Sequence, residues 1–241
     1  MNAIETKNLQ KRYGNVTAVA GLDLTVAQGE LFALLGVNGA GKTTTIRMLS
    51  CLTSPTDGDA WLLGKSIRRE GAAIRSYIAV SPQETAVAPN LTVQENLALL
   101  YGIHGLPAGE QVQRIGALAE RLGLDAVLSR RAGKLSGGWQ RRLSIAMALI
   151  SDPQILFLDE PTLGLDVLAR YELWDVIRTL RGKVTIVLTT HYMEEAEALS
   201  DRIGILKDGR LLCCGTAVQL RERAGTTQLE EAFVRIVKGD I

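Results

Sequence analysis

The sequence predicts an α/β fold in which a helical block is inserted into a core of alternating strands and helices. In the first and last thirds of the chain, short apolar runs typical of buried strands alternate with stretches of helical periodicity. From about residue 92 to residue 150 the pattern changes. Apolar residues there recur at three- and four-residue spacing, as in Val93, Leu97 and Leu100. The sequence therefore predicts a mostly helical insert inside an α/β core.

Turn residues such as Asp208-Gly209 divide the chain into the individual elements. Strands are predicted at residues 4–10, 19–26, 30–35, 60–63, 77–80, 155–158, 184–189, 203–206 and 210–214. Helices are predicted at residues 43–52, 112–122, 139–150, 168–180 and 228–237, with a further helix after His191. We predict one domain with a core at residues 1–84 and 152–215, a helical subdomain at 85–151 and a short tail at 216–241.

The composition is that of a globular protein with no electrostatic preference for nucleic acid. Of the 241 residues, 46% are hydrophobic and 22% are charged, and the formal net charge is +1. The first seven residues lack the apolar segment of a secretory signal, and no apolar run approaches the ~18–20 residues of a membrane span. Cys51, Cys213 and Cys214 have neither metal-binding nor disulfide spacing. We therefore expect a cytosolic protein that does not bind nucleic acid.

The most informative segment is a glycine-rich loop between a predicted strand and a predicted helix. It reads Gly36-Val37-Asn38-Gly39-Ala40-Gly41-Lys42-Thr43-Thr44 and fits the pattern G-x-x-x-x-G-K-[ST] without a gap. In this context the backbone N–H groups and the helix N-terminus converge on one point, where a triphosphate can bind. Lys42 would reach the β- and γ-phosphates, and the Thr43 hydroxyl would ligate Mg²⁺. A glycine-rich turn without a ligand is the alternative interpretation.

A second predicted strand ends in two acids, Asp159 and Glu160. The carboxyl ends of strands line the ligand crevice in a parallel α/β sheet. Asp159 could therefore hold Mg²⁺, directly or through water, and Glu160 could orient or deprotonate an attacking water. An ordinary loop start is the alternative interpretation of the two acids.

His191 and the segment Leu135-Ser136-Gly137-Gly138-Trp139-Gln140 each allow two interpretations. His191 follows the strand predicted at residues 184–189, where it would either contact the γ-phosphate or cap the next helix. Ser136 can cap the helix that follows it, while Gly137 and Gly138 leave N–H groups exposed to an anion. Because this segment lies far along the chain from the phosphate loop, a phosphate bound here could belong to another subunit.

Taken in their order along the chain, these motifs resemble those of the nucleotide-binding subunit of ATP-binding-cassette (ABC) transporters. The order also includes Gln83 after a strand, Asp166 in the loop Gly164-Leu165-Asp166, and Tyr13 at the position of the family's adenine-stacking aromatic. The resemblance covers nearly the whole chain. It implies a P-loop NTPase fold of the ABC type, with a mixed-sheet core, an antiparallel β subdomain and an inserted helical subdomain.

The resemblance also implies that ATP and Mg²⁺ are bound and that two chains act together. Two subunits, identical in the simplest case, would pair head to tail, with each ATP between the phosphate loop of one and Ser136-Gly137-Gly138 of the other. Glu160 would be the general base, and His191 would contact the γ-phosphate. Gln83 would contact Mg²⁺ or the water, and Asp166 would cross the interface between the subunits.

The implied partner is a separately encoded transmembrane permease, and the implied location is peripheral, on the cytoplasmic side of the cell membrane. The helical block would carry the docking groove, between Gln83 and Tyr101. The segments around Asp166 and His191 are similar to those of the branch that exports drugs, polysaccharides, haem or ions, so export is the expected direction. The sequence departs from the family pattern at Trp139, where Gln is commoner. The resemblance therefore does not predict how the residues at the interface between the subunits are positioned in detail.

A soluble ABC-type ATPase that acts on ribosomes or DNA is the main alternative function. Members of that class usually carry two cassettes or a long coiled-coil insertion, and 241 residues hold neither. A GTPase would need an Asn/Thr-Lys-x-Asp motif to read guanine, which this sequence lacks. A small-molecule kinase would not need the segment from Leu135 to Gln140. The sequence therefore favours the ATPase of a transporter.

Overall fold

The chain folds into interspersed strands and helices in the computed structural model, which describes residues 1–240. The strands are β1 (Asn2–Tyr13), β2 (Val16–Ala27), β3 (Leu31–Leu35), β4 (Asp57–Leu62), β5 (Lys65–Ser66), β6 (Ile78–Ser81), β7 (Ile155–Asp159), β8 (Thr185–Thr190), β9 (Arg202–Lys207) and β10 (Arg210–Gly215). The helices are α1 (Lys42–Leu49), α2 (Gly71–Ile74), α3 (Val93–Ile103), α4 (Gln111–Arg121), α5 (Gly137–Leu149), α6 (Val167–Arg178), α7 (Met193–Leu199), α8 (Ala217–Ala224) and α9 (Leu229–Lys238). Short 3₁₀ turns lie at Ala108–Glu110, Asp125–Val127 and Ala132–Lys134.

Two sheets organise these elements. Within residues 1–240, the larger sheet has six strands in the order β10–β9–β3–β8–β7–β6, and the smaller sheet has four in the order β2–β1–β4–β5. In the larger sheet β10 is antiparallel to β9, and the other neighbours are parallel. The smaller sheet is antiparallel. The predicted fold class is therefore confirmed: a mixed-sheet core, an antiparallel sheet and an inserted helical block.

Both faces of the larger sheet are buried, which explains why its central strands are apolar throughout. All five residues of β3 are buried. Leu31, Ala33 and Leu35 belong to the core shared with the helical block, whereas Phe32 and Leu34 belong to the core shared with the smaller sheet and α1. This alternation is the period-two geometry of a strand that is covered on both sides.

Helices α3, α4 and α5 form the insert between β6 and β7. A capping box starts α3, because the Thr92 hydroxyl accepts from the N–H of Glu95 while the Glu95 carboxylate accepts from the N–H of Thr92. Leu97 of α3 and Leu143 of α5 are fully buried in the same apolar core as one face of the larger sheet. The insert therefore shares its core with the sheet, and α5 is held directly against it.

The C-terminal segment contains two helices where the sequence analysis predicted one. A second capping box, formed by Thr216 and Gln219, starts α8. This signal was present in the sequence, since Thr followed three positions later by Gln is typical of a helix start. Leu229, Phe233 and Ile236 of α9 are buried in the core of the larger sheet. The short tail is thus an ordered pair of helices packed on β9 and β10.

Candidate active site

The carboxyl ends of β3, β7 and β8 meet at one edge of the larger sheet. Asp159, the last residue of β7, pairs with Thr189 of β8. The N–H of Gly36, which follows β3, donates to the carbonyl of Thr190 (3.2 Å). Because the three strands are parallel and in this register, the glycine-rich loop, the two acids and His191 lie side by side.

An open cavity of about 400 Å³ lies at this edge of the sheet. Predicted site residues that line it are Asn38, Gly39, Ala40, Gly41, Lys42, Thr43, Thr44, Gln83, Glu160 and His191. Ala18 and Leu163 line it as well, and the sequence analysis missed both because small and apolar residues carry no motif signal. Ala18 lies on β2 of the other sheet, and Leu163 is in the turn after Glu160, where its N–H donates to the Glu160 carbonyl (3.2 Å).

Two glycines of the loop are required by the space around them. A Cβ atom on Gly36 would lie 2.5 Å from the carbonyl oxygen of Leu206, and one on Gly41 would lie 2.4 Å from that of Ala18. Gly41 also has a φ of 103°, which side-chain-bearing residues rarely adopt. The loop can therefore approach β2 and β9 this closely only with glycine at these positions.

The ammonium group of Lys42 lies inside the loop. Its Nζ donates to the carbonyls of Gly36 (2.7 Å) and Val37 (3.2 Å), and lies 3.2 Å from Oε1 of Glu160. Lys42 is only 5% exposed, so its charge is little screened by water. Together with the free N–H groups at the start of α1, this charge makes the loop a strong binding site for phosphate oxygens.

Glu160 has a strained backbone conformation. Its φ is 47°, in the left-handed region that few residues other than glycine adopt. The conformation is held by the N–H of Glu160, which donates to both the carbonyl (3.1 Å) and the hydroxyl (3.0 Å) of Thr189. The Oε2 atom of Glu160 lies 2.8 Å from Nδ1 of His191. The carboxylate therefore contacts both Lys42 and His191 at the cavity wall, a position suited to a general base.

Asp159 and Thr43 place hard oxygen ligands beside the loop. The Thr43 hydroxyl donates to Oδ1 of Asp159 (3.2 Å), and the Thr189 hydroxyl donates to the same atom (2.6 Å). Across residues 1–240, no group of three or more His, Cys, Asp and Glu side chains could hold a metal by itself. One hydroxyl and one carboxylate nevertheless fit Mg²⁺, which keeps several waters and is commonly completed by phosphate oxygens of the substrate.

Tyr13 and the residues around α5 and α6 do not line this cavity. Tyr13 is 47% exposed at the end of β1, and the Lys11 ammonium lies 5.0 Å from its ring centroid. Asp166 is at the N-cap of α6, where its Oδ1 accepts from the N–H of Ala169 (2.9 Å). Its carboxylate therefore has a local structural role in addition to any role between subunits.

The segment Ser136-Gly137-Gly138 forms the start of α5 and packs against the start of α6. A Cβ atom on Gly138 would lie 3.0 Å from Cβ of Ala169, and one on Gly137 would lie 3.4 Å from Cδ2 of Leu165. Ser136 occupies the N-cap position, but its side chain makes no capping hydrogen bond, contrary to our expectation. The hydroxyl of Ser136 is exposed instead, next to the unpaired N–H groups of the first turn.

The fold and the site together define a phosphate-loop nucleotide-binding domain. The family model described as "ABC transporter" matches residues 19–163. The chain therefore belongs to the ABC transporter family. It is 44% identical over 215 residues to Nod factor export ATP-binding protein I of Paraburkholderia xenovorans, covering 88% of this chain and 70% of that protein. It is 42% identical over 229 residues to a daunorubicin resistance ATP-binding protein of Streptomyces coeruleorubidus, covering 95% of this chain and 72% of that protein.

Some curated relatives are much longer than this chain. It is 47% identical over 215 residues to ABC transporter A family member 9 of Arabidopsis thaliana, but spans only 22% of that protein. Among solved structures, it is similar to an ATP-binding subunit of an ABC transporter, with 30% identity, a TM-score of 0.85, and coverage of 97% of this chain and 99% of that one. A dimeric ATP-binding cassette in a post-hydrolysis state with ADP and Pi has 27% identity, a TM-score of 0.78, and coverage of 88% and 98%.

Over residues 1–240, no helix is both long enough and apolar enough to cross a bilayer.

Proposed function

We propose that this chain binds ATP with Mg²⁺ in the cavity at the ends of β3, β7 and β8, and hydrolyses it to energise a transmembrane permease, in the direction of export. The observation that carries the proposal is the convergence of Lys42, Glu160 and His191 beside the phosphate loop. A buried cation, a carboxylate and an imidazole in contact are the groups expected for phosphoryl transfer to water. The similarity to a Nod factor export ATP-binding protein and to a daunorubicin resistance ATP-binding protein supports this function, and the first of the two supports the direction.

In the proposed reaction, the loop N–H groups and Lys42 hold the β- and γ-phosphates in place. Glu160 accepts a proton from the attacking water as the new O–P bond forms and the bond from the γ-phosphorus to the β-phosphate oxygen breaks. ADP and phosphate are then released. His191 orients the carboxylate through its 2.8 Å contact and also contacts the γ-phosphate. Most of the catalysis is therefore positioning and charge stabilisation by groups that the fold already holds in place.

Thr43, Asp159 and Gln83 would hold Mg²⁺, either directly or through water. The bound ion would neutralise charge on the phosphate oxygens. The closeness of the Thr43 hydroxyl to the Asp159 carboxylate (3.2 Å) supports this assignment. Tyr13 would stack on the adenine, since its exposed ring stands at the end of the hairpin that also carries Ala18.

A second copy of the chain would complete each site. Ser136, Gly137 and Gly138 present an exposed hydroxyl and free N–H groups outside their own chain's cavity, which suits contact with a phosphate held by another subunit. Asp166 would cross the interface nearby. The similarity to a cassette solved as a dimer with ADP and Pi supports the pairing of two copies. In the proposed dimer the two copies pair head to tail and enclose two MgATP molecules.

The permease would dock on the helical block, which fixes the chain to the cytoplasmic face of the membrane. A mainly apolar groove of about 290 Å³ lies between β6, α3 and α5, with Pro82, Leu100, His104 and Met147 among its lining residues. It overlaps the stretch between Gln83 and Tyr101 in which the sequence analysis expected docking. Because Pro82 is next to Gln83, a helix seated in this groove would be close to the residue expected to sense the nucleotide.

The test is affinity capture of tagged Glu160→Gln protein from detergent-solubilised membranes of the source cell with MgATP, preceded by an ATPase assay of the wild type. We expect Mg²⁺-dependent release of phosphate, and capture of an integral membrane protein with several spans. The matched control is Lys42→Ala protein, which should bind ATP weakly and give no ATP-dependent enrichment.

Two outcomes would contradict the proposal at different levels. Capture of ribosomal or DNA-repair proteins without a membrane component would favour a soluble ABC-type ATPase and remove the docking assignment. Failure of the wild type to hydrolyse ATP, alone or with the captured protein, would remove the enzymatic assignment itself.

A further inference from the structure

The guanidinium of Arg141 is buried and joins α5 to the backbone at Gln83. Arg141 is at the start of the second turn of α5, three residues after Gly138, and is 5% exposed. Its Nη1 donates to the carbonyl of Pro82 (2.7 Å) and its Nη2 donates to the carbonyl of Gln83 (2.6 Å). Two bonds from one planar group to consecutive carbonyls fix both the position and the orientation of that backbone.

A second contact on the same face of α5 strengthens this link. Ser144 lies three residues after Arg141, so that the two side chains project from the same side of the helix. The hydroxyl of Ser144 is 3.0 Å from that of Ser81, the last residue of β6, and both residues are buried. The start of α5 is thus attached to the end of β6 and to the two residues that follow it.

Two carboxylates from other parts of the structure partly offset the burial of the Arg141 charge. Burial lowers the pKa of Arg141, and the nearby carboxylates of Asp159 and Glu195 oppose that shift. Glu195 is itself held by the indole N–H of Trp174, which donates to its Oε1 (3.1 Å). A buried cation costs stability unless it is paired and hydrogen-bonded. An apolar side chain at this buried position would avoid the cost of burying a charge. The presence of a guanidinium therefore indicates that its two hydrogen bonds to the backbone have a specific role.

We propose that Arg141 is a positioning residue that makes the placement of Gln83 depend on the placement of α5. This inference rests on the proposed function, in which Gln83 contacts Mg²⁺ or the attacking water and the start of α5 contacts the nucleotide of the second subunit. A shift of α5 on contact with that nucleotide is passed through Arg141 to the backbone of Gln83 in the same chain. Each cavity thereby becomes catalytically competent only when α5 of its own chain contacts the nucleotide held by the second subunit.

The test is a double-mutant cycle between Arg141→Met and Gln83→Ala, with Arg142→Met as the matched control. Arg142 is the next residue on α5, but it pairs with Glu172 (2.6 Å) and stacks on Trp139, so its removal deletes an equal charge without touching Gln83. We expect Arg141→Met to lower kcat about tenfold or more with little change in KM, because misplacing a positioning group affects the transition state. Combining it with Gln83→Ala should lower kcat by less than about twofold beyond Gln83→Ala alone.

Arg141→Lys provides the conservative variant and guards against a folding failure. Lysine keeps the charge but can satisfy one carbonyl more readily than two, so kcat should lie between wild type and Arg141→Met. If Arg141→Met does not fold, the same cycle with Arg141→Lys decides the question. For the control pair, Arg142→Met and Gln83→Ala, the fold-losses in kcat should multiply in the double variant. If the fold-losses of Arg141→Met and Gln83→Ala also multiply, the inference is overturned.

Hydrogen exchange gives a readout that does not depend on ATP hydrolysis. In Arg141→Met, the Ala88 amide, which donates to Oδ1 of Asn96 (2.8 Å), should exchange about tenfold faster than in wild type, whereas Arg142→Met should leave it unchanged. Unchanged exchange at Ala88 in Arg141→Met would also overturn the inference. If the wild type lacks ATPase activity but exchange rises as expected, the positional link stands and the proposed function fails.

Discussion

At the scale of single residues, the site depends on one carboxylate with three constraints. Glu160 is held in a left-handed backbone conformation by Thr189, contacts Lys42 through one oxygen and contacts His191 through the other. These contacts fix the carboxylate at the wall of the cavity before any substrate arrives. Such preorganisation lowers the cost of placing a base next to the attacking water.

The Glu160 carboxylate is the expected proton acceptor in hydrolysis. Glu160→Gln should retain ATP binding but slow hydrolysis at least about a hundredfold, because the amide preserves shape and cannot take up the proton. Nucleotide titration and a phosphate-release assay on the same preparation separate the two effects. Turnover close to wild type, with binding intact, would remove Glu160 from the role of base.

At the scale of elements, the phosphate loop depends on how closely β2 approaches it. The loop contains two glycines with positive φ, Gly39 (81°) and Gly41 (103°). A Cβ atom on Gly39 would meet no atom within 4 Å, whereas one on Gly41 would meet the Ala18 carbonyl at 2.4 Å. The first position is therefore limited by backbone strain, and the second by strain together with packing between the two sheets.

This difference gives a prediction with an internal control. Gly39→Ala should lower the free energy of unfolding by about 1 kcal/mol, from backbone strain. Gly41→Ala should lower it by about 2 kcal/mol more, because β2 or α1 must move to make room. Urea unfolding of the two variants measures both values. Equal losses of unfolding free energy in the two variants would show that a small movement of β2 removes the clash with the new Cβ atom.

The contact between α6 and α7 depends on a buried acid, Glu195. Burial raises its pKa above the ordinary value of 4.5, against the opposing effects of the Thr190 and Thr162 hydroxyls, the Trp174 indole and the charge of Arg170. Arg141 faces it from α5. The folded state therefore binds a proton at Glu195 more tightly than the unfolded state does.

The sign of the pH dependence follows from this difference in proton binding. As pH rises above 4.5, the unfolded chain loses this proton first, so the contribution of Glu195 to stability falls until the folded-state pKa is passed. Glu195→Gln removes this titration. The free energy of unfolding of the variant minus that of wild type should therefore be flat below about pH 4 and rise above it.

Urea unfolding over a pH series measures this difference. Glu194→Gln is the matched control. The Glu194 side chain is 76% exposed, and its ion pair with Arg170 is long, at 3.9 Å, so its charge is well solvated. A Glu195→Gln curve that runs parallel to wild type across the series would contradict the assignment.

At the scale of the whole molecule, one chain holds two parts of the proposed site on different surfaces. The cavity collects the phosphate loop, Gln83, Glu160 and His191, whereas Ser136, Gly137 and Gly138 start α5 outside its lining. A single copy cannot bring the two parts together without unpacking α5 from α6, which the glycines allow to pack closely. The arrangement therefore favours a site completed between two copies.

Sedimentation tests this pairing. Glu160→Gln protein should be monomeric without nucleotide and dimeric with MgATP, because the trapped nucleotide holds both copies together. Adding Ser136→Glu should abolish the dimer by placing a negative charge against the bound phosphates, while leaving the fold intact since the Ser136 side chain makes no capping bond. A monomer under all conditions would favour a different partner subunit, or a dimer that forms only on the permease.

Much of the cavity could be predicted from local sequence, because the signals are short. Lys42 and Thr43 are set by a nine-residue loop, and Asp159 and Glu160 by one apolar strand that ends in acids. Ala18 and Arg141 could not be predicted in the same way. Ala18 reaches the cavity from the other sheet, and Arg141 bonds a carbonyl 58 positions away, so neither leaves a pattern in neighbouring residues.

The sequence by itself determined the fold class, the order of the motifs and the residues of the phosphate loop, because strand and helix periodicity and turn chemistry act over a few residues. Only the tertiary structure decided which strand ends meet, that Glu160 lies between Lys42 and His191, and that Arg141 holds the backbone of Gln83. These arrangements depend on strand register and on the packing of α5 against β6. Register and packing are set by the sum of many distant contacts rather than by any one segment.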